Sequence, residues 1–397
     1  MTELLRSLDD EPDTPSTVDV RRAIATARRT RRVRRGVTGA GAAVVTVAAS
    51  LAGFTLTRPA AAPAPVAPAT TAAPTGAPRP SAAAPPALTR CAISRLPVPD
   101  RAPMALVTAA DPTGEWIAGR TYPKSGGYQA VLWHAGTVTK VMLPGDLEEA
   151  LRDVNASGTA VGWSYTEDGP VPYAYRNGKI TKLAPSGSAL GINDAGRIVG
   201  DDDEGNAVVW ESAGATPSRL PAPSSAKTVQ ARAIDLDGTI VGSLDLGIPY
   251  IWLPDGTHRR MPMPEIDGKP AAVAQAFDIR NGWVTGMAAM KPDKGSRGNA
   301  PAYAVRWNLR TGESELVGEL QYPADAVNPF GWQVGTDRDG YAVLLTGEKT
   351  IRLPDLAKHR ADGTATIAST LSDDGRIIAG QSDDRTDTIQ AVVWRCR

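Results

Sequence analysis

Seven times along the chain, a turn-forming segment runs into a few mostly apolar residues and a glycine: "DPTGEWIAG", "NASGTAVG", "NDAGRIVG", "DLDGTIVG", "IRNGWVTG", "NPFGWQVG" and "SDDGRIIAG". The closing glycines are Gly119, Gly162, Gly200, Gly242, Gly286, Gly335 and Gly380, at intervals of 43, 38, 42, 44, 49 and 45 residues. Self-similarity at such a period marks a unit that cannot bury its own faces and must stack on copies of itself. Six copies open with Asn, Asp or Ser, whose side chains can bond the backbone two residues on. A glycine then supplies the positive φ that a tight hairpin needs. The fifth copy opens with Ile279 instead and is expected to turn on Asn281 and Gly282.

After each closing glycine come a loop of variable length and an apolar strand: "AVLWH", "YAYRN", "AVVWE", "YIWLP", "AVRWN", "AVLLT", "AVVWR". Trp133, Trp210, Trp252, Trp307 and Trp394 share one register, with Tyr175 and Leu345 in the other two copies. A further strand ends near proline in "TKVMLP", "ITKLAP", "SRLPAP", "RRMPMP" and "IRLPDL". Four short strands per copy with an aromatic at a fixed place on the third is the pattern of a propeller blade. The expected fold is all-β: a seven-bladed β-propeller of four-stranded antiparallel blades. Stacking buries both faces of each blade, which accounts for unalternating runs such as "AVVW". The closing glycine is expected where a neighbouring blade comes too close for a side chain.

"GINDAGRIVG" and "AVVW" resemble the HAF-type extracellular repeats of bacteria, an "IND.G..VG" segment followed by an apolar stretch ending in Trp. The resemblance spans roughly 107 to 397 and is poorest in the fifth and sixth copies. It implies an exported propeller and no particular reaction.

The two ends fit each other. The seventh copy stops at its Trp strand, while "SRLPVP" at 94 to 99 matches "SRLPAP" at 218 to 223, so the missing fourth strand lies at the N-terminal end of the domain. That strand completes the last blade and leaves no open sheet edge. Aligned on the third copy, Cys396 falls at Ser212 and Cys91 at Ala215. Positions three apart in a tight turn lie within about 7 Å at Cα, and a disulfide spans about 4.4 to 6.8 Å. A Cys91 to Cys396 disulfide is therefore expected to replace the turn that circular closure removes, and it implies an oxidising compartment.

Upstream of residue 91, three segments imply three surroundings. Residues 36–57, "GVTGAGAAVVTVAASLAGFTLT", carry no charge and would extend about 33 Å as a helix, enough to cross a bilayer core. Residues 1–35 carry nine arginines, eight of them between Arg21 and Arg35 beside this span, which places the N-terminus in the cytoplasm and the rest outside. A cleaved signal peptide is the alternative, with "AAA" at 60 to 62 as a processing site and a charged leader that is long for one. The Arg-rich tail resembles the short cytoplasmic tails of actinobacterial single-pass membrane proteins. It has no His or Cys, which excludes a zinc-type anti-sigma motif. Residues 58–90 hold nine prolines among Ala and Thr, an extended disordered linker of up to roughly 100 Å. The domain 91–397 follows it, long enough to bury a substantial core.

Chemistry-bearing motifs are few. Lys plus Arg and Asp plus Glu are both 43, so no charge excess points to nucleic acid. No nucleophile elbow, zincin helix, phosphate-binding glycine loop or Cys pair of zinc spacing occurs, and no metal or cofactor is expected. His134, His258 and His359 are scattered, the first two beside the turn between third and fourth strands and the last between blades. Asp201, Asp202 and Asp203 in "DDDEG" form the densest acidic cluster. They are read as loop acids, with calcium the alternative, although the spacing of a calcium loop is missing. Propeller ligands meet the face built from the loops between second and third strands and between blades. There the longest insertion runs from Met287 to Pro301 with Lys291, Asp293, Lys294 and Arg297, a candidate contact surface. The expected protein is a monomeric, membrane-anchored extracellular propeller that binds an envelope protein, peptide or glycan and touches lipid through residues 36–57. The alternatives are an exported lyase or hydrolase, and a transmembrane sensor.

Overall fold

The computed structural model describes residues 88–397, apart from 125–126, 146–147, 168, 292–299, 348, 358 and 360–365. The tail 1–35, the span 36–57 and nearly all of the linker 58–90 lie outside the described residues. Among the described residues, no helix is long and apolar enough to cross a membrane.

The first strand, β1 (Cys91–Arg95), joins the last blade. The first blade is β2 (Met104–Ala110), β3 (Trp116–Tyr122), β4 (Gln129–His134) and β5 (Thr137–Val141), and the second is β6 (Glu149–Val154), β7 (Ala160–Thr166), β8 (Gly169–Arg176) and β9 (Lys179–Lys182). The third is β10 (Gly187–Ile192), β11 (Ile198–Asp202), β12 (Ala207–Trp210) and β13 (Ser218–Arg219), and the fourth is β14 (Val229–Ile234), β15 (Ile240–Leu244), β16 (Ile248–Trp252) and β17 (His258–Arg260). A small hairpin, β18 (Glu265–Ile266) and β19 (Lys269–Pro270), follows in the connection to the fifth blade. The fifth is β20 (Val273–Arg280), β21 (Trp283–Ala289), β22 (Ala302–Asn308) and β23 (Glu313–Leu316), and the sixth is β24 (Ala326–Val327), β25 (Gln333–Thr336), β26 (Ala342–Leu345) and β27 (Thr350–Arg352). The seventh is β28 (Thr366–Leu371), β29 (Ile377–Asp383) and β30 (Ile389–Cys396), with β1 as its outermost strand. All pairings are antiparallel and each blade runs in simple order, so the fold is a seven-bladed propeller. The first strand of every blade lies against the first strands of both neighbours, and β28 lies against β2, which closes the ring.

Closure follows the expected register. Ser94 pairs with Val393 as Ser218 pairs with Val209, and Ala215 N–H donates to Ser212 O in the turn of the third blade. Where that turn would sit in the seventh blade, Cys91 and Cys396 face each other with Cα atoms 4.0 Å apart and their sulfurs bonded. The ladder continues past the bond, because Arg397 N–H donates to Arg90 O and Arg90 N–H to Arg397 O.

The blades are held together by two repeated devices. Each conserved-register tryptophan is buried and donates its indole N–H to a carbonyl in the connection leaving the preceding blade: Trp133 to Pro97, Trp210 to Ala184, Trp252 to Pro221, Trp307 to Pro262 and Trp394 to Pro354, at 2.6 to 2.9 Å. The "LP" and "W" elements of the repeat are therefore the two halves of one contact. At the other end of the blades, Asn155 Oδ1 accepts from Ser157 N–H and Thr159 N–H in its own turn, while its Nδ2 donates to Asn193 O of the next blade. Asn193 Nδ2 donates to Asp235 O, and Asn328 Nδ2 to Asp373 O, in the same way. The fifth copy turns on Asn281 and Gly282, both at positive φ. Asp235 has no amide to donate onward, and its carboxylate accepts from Asn281 N–H and Gly282 N–H instead.

Six of the seven closing glycines are tight for a reason other than blade contact, whereas Gly335 meets the Leu320 side chain from the connection before its blade. A Cβ on Gly200 would stand 1.9 Å from Ser188 O, on Gly242 1.8 Å from Gln230 O, and on Gly286 1.9 Å from Gln275 O. The carbonyl belongs to the first strand of the same blade, which bulges opposite the glycine: between Ala189 and Gly191, Ala231 and Ala233, and Ala276 and Asp278. The glycine makes room for the bulge, and the bulge decides which side chain meets the axis.

Candidate functional site

Each bulge leaves one residue of the first strand outside the ladder. The skipped residues are Thr108, Arg152, Leu190, Arg232, Phe277 and Ser369 in blades one to five and seven. Asp325 holds the same place in the sixth blade, since Ala326 pairs one residue before the glycine as Asp278 does in the fifth. These seven residues form one level of the channel. Arg152, Arg232 and Asp325 stand on blades two, four and six, and their charges act on one another, which for alternate blades requires convergence on the axis. Enclosure by the wall lowers Arg152 to about 10 and lowers Arg232, and in each case Asp325 opposes the shift. Enclosure raises the Asp325 carboxyl, opposed by both arginines. The Asp325 charge favours the charged form of both guanidinium groups. The Arg232 guanidinium lies 5.2 Å over the Phe277 ring.

At the end where first and second strands turn, an ion pair joins two non-adjacent blades. Arg280 of the fifth blade donates through Nε and an Nη to both carboxylate oxygens of Asp373 in the seventh, each at 2.6 Å. Near it, Asp153 accepts from Val154 N–H and from Ile192 N–H of the next blade, and Asp278 accepts from Ile279 N–H and Val327 N–H. Burial pushes Asp153 up to about 7 and Asp278 up to about 6, against the pull of these backbone donors.

At the opposite end, Arg120 on β3 lies 5.3 Å from the Tyr122 ring and 4.9 Å from the Tyr128 ring. Its charge also reaches Arg152. The buried Nε of Arg120 has no hydrogen-bond partner among the described residues. Burial raises Tyr122 and Tyr165, with the Glu148 charge adding to both. The rings of Trp163 and Tyr165 meet edge to face at 5.1 Å. An aromatic and cationic mouth therefore leads to the arginine level.

The acidic cluster does not converge. Asp201, expected in a loop, is the penultimate residue of β11 and faces this mouth, pushed up to about 6 by burial, with Ser188 hydrogen bonds and the Arg232 charge opposing. Asp202 is buried: its carboxylate accepts from Glu204 N–H and Asn206 N–H and pairs with Arg219 at 3.2 Å. Asp203 is exposed. Among the described residues, no group of His, Cys, Asp and Glu has the arrangement of a metal site. Lys291 is exposed just beyond β21, and Asp293, Lys294 and Arg297 lie outside the described residues.

The histidines stand elsewhere. His134 stacks on Trp116 at 3.7 Å, His258 Nδ1 is 2.6 Å from the Tyr250 hydroxyl, and His359 lies between the Asp355 carboxylate and Asp339 O. Sequence reading passed over the axial arginines, although six of the seven axial residues lie three positions before the residue that opens the turn, as Arg152 does before Asn155 and Arg232 before Asp235, while Phe277 lies two before Ile279.

The chain matches no family model and no curated protein. Among solved structures, it is similar to an oligogalacturonate lyase in complex with manganese, with a TM-score of 0.49 and 12% identity over 78% of this chain and 96% of that one. It is also similar to the Pan2 WD40 domain of Neurospora crassa, with a TM-score of 0.45 and 12% identity over 78% of this chain and 95% of that one. The resemblance to HAF-type repeats rests on the motif alone.

Proposed function

We propose that this propeller is a binding module of the cell envelope, held outside the membrane by the span 36–57 and the linker 58–90, with the arginine-rich tail inside. The observation that carries the binding reading is the use to which the channel acids are put. The carboxylates of Asp153, Asp235 and Asp278 accept backbone N–H groups, and that of Asp373 is held by Arg280. What faces the mouth is mainly arginine and aromatic, groups suited to holding a ligand. The disulfide supports the outside location, because such bonds persist in oxidising compartments.

A direct test incubates the full chain, purified in mild detergent, with fractionated envelope extract and analyses what it retains by mass spectrometry. Binding predicts a ligand recovered unaltered at no more than one equivalent per chain. Product accumulating in excess of protein would replace this reading with an exported enzyme.

A further inference from the structure

The tripeptide Arg-Asn-Gly occurs twice, at 176–178 and at 280–282. Each copy makes the same two-residue hairpin turn, since Arg176 pairs with Lys179 and Arg280 with Trp283. The Asn and Gly between them take positive φ, 49° and 81° in the first copy, 47° and 76° in the second. Their surroundings differ. At the second copy, Asp235 of the preceding blade accepts from Asn281 N–H and Gly282 N–H, both at 3.1 Å, the Arg310 guanidinium donates to Asn281 O, and Leu309 N–H donates to Gly282 O. Gly282 is buried. At the first copy, Asn177 and Gly178 are exposed in the turn that leads to β9, the outermost strand of its blade. A Cβ on Gly178 would meet nothing within 4 Å. Among the described residues, none bonds the Gly178 N–H or the Asn177 side chain.

We propose that Asn177 is a site of spontaneous deamidation through Gly178, and that the fold protects Asn281 although the two share a tripeptide and a turn. Glycine has no side chain to shield its nitrogen from the carboxamide before it. The Gly178 nitrogen, its proton lost to hydroxide, attacks Asn177 Cγ. The new N–Cγ bond closes a succinimide as the Cγ–Nδ2 bond breaks, and ammonia leaves with a proton taken from water. Water then opens the ring, at Cγ to give aspartate or at the main-chain carbonyl to give isoaspartate. For nitrogen and carboxamide to meet, the turn has to open. Around Asn177 that frays only the end of an outer strand of four residues. Around Asn281 it breaks the bonds to Asp235 and bares a buried glycine, and the carboxylate beside Gly282 N–H opposes loss of its proton. The aspartate product sets a negative charge beside Arg176 and Lys179, which stand opposite each other. The isoaspartate product adds a methylene to the main chain, which the two-residue register cannot absorb. It loosens the start of β9, while buried Leu183 and its N–H bond to Pro172 O hold the chain beyond the strand.

The test incubates the full chain, folded in mild detergent, at neutral and at mildly alkaline pH. Digestion under acidic conditions halts the reaction, and mass spectrometry with fragmentation that separates aspartate from isoaspartate follows the peptides that contain Asn177 and Asn281. In the folded protein Asn177 should convert about tenfold or more faster than Asn281, because only its turn opens without loss of buried contacts. Conversion should be faster at the higher pH and yield both products. In denaturant, where neither turn is held, the two rates should agree within about threefold. Gly178→Ala should slow Asn177 about tenfold by shielding the nitrogen. The denatured comparison needs no variant and keeps the proposal open to refutation if Gly178→Ala does not fold. No conversion at Asn177, equal rates at the two sites in the folded protein, or a difference that persists in denaturant would each overturn the proposal. So would a rate independent of pH, aspartate without isoaspartate, or an unchanged rate in folded Gly178→Ala.

Discussion

Cys91 and Cys396 are opposed residues of β1 and β30, bonded through their sulfurs across 305 positions of sequence, and the ring of blades lies between them. They occupy a pair that makes no backbone hydrogen bonds of its own, flanked by the bonded pair Arg90 and Arg397, and such pairs bring side chains closest together.

Intact-protein mass after alkylation without reductant should show no adduct, and two adducts after reduction under denaturing conditions. Replacing Cys396 with Ser, or reducing the bond, should lower stability by up to about 4 to 6 kcal/mol in chain-entropy terms and less where the denatured chain keeps structure. Two reactive thiols before reduction would remove the covalent clasp from this description.

The tryptophan contact between blades should carry stability at every copy that has it. Trp210 is fully buried, and replacing it with Phe removes volume and leaves Ala184 O without its donor. The expected loss is about 1 to 3 kcal/mol in denaturant titration. Tyr175 occupies the same register in the second blade without such a bond among the described residues, so Tyr175→Phe should change stability by less than about 1 kcal/mol.

The channel acids make stability fall with rising pH. Asp153 titrates at about 7 in the folded protein, and Asp201 and Asp278 at about 6, each above the ordinary value of 3.8. Between about pH 4 and 7 the folded state therefore holds protons that the unfolded chain has released, and raising the pH across that window favours unfolding. Comparing denaturant titrations at pH 5 and pH 8, the decrease for wild type should exceed that for Asp153→Asn by about 1 to 2 kcal/mol, allowing for solvent in the channel. Equal decreases would show that Asp153 is not the buried carboxyl described here.

Much of the architecture was legible in the sequence, because a propeller repeats its instructions. The turn residues, the strand tryptophans and the match of "SRLPVP" to "SRLPAP" each recur at a fixed place, and together they determine blade number, register and closure. The axial level was not legible in the same way. A ring residue is defined by its place relative to a bulge, and its chemistry differs from blade to blade: Thr108, Arg152, Leu190, Arg232, Phe277, Asp325 and Ser369 have nothing in common but position. The closing glycines showed where space was short, while the partner across that space, a carbonyl of the same blade for all but Gly335, became visible only in three dimensions. Asp201 illustrates the same limit, since "DDDEG" reads as a uniform acidic loop although the pleat sends Asp201 and Asp202 to opposite faces of β11.

The side of the membrane on which the propeller stands can be measured with single cysteines, since the paired Cys91 and Cys396 do not react. Ser7→Cys and Ser81→Cys, in the tail and the linker of the full chain, are labelled in whole cells with a membrane-impermeant maleimide. Labelling of Ser81→Cys in intact cells, with Ser7→Cys reacting only after permeabilisation, is the predicted result. Labelling of Ser7→Cys in intact cells, or protection of Ser81→Cys until lysis, would contradict a propeller displayed outside the cell.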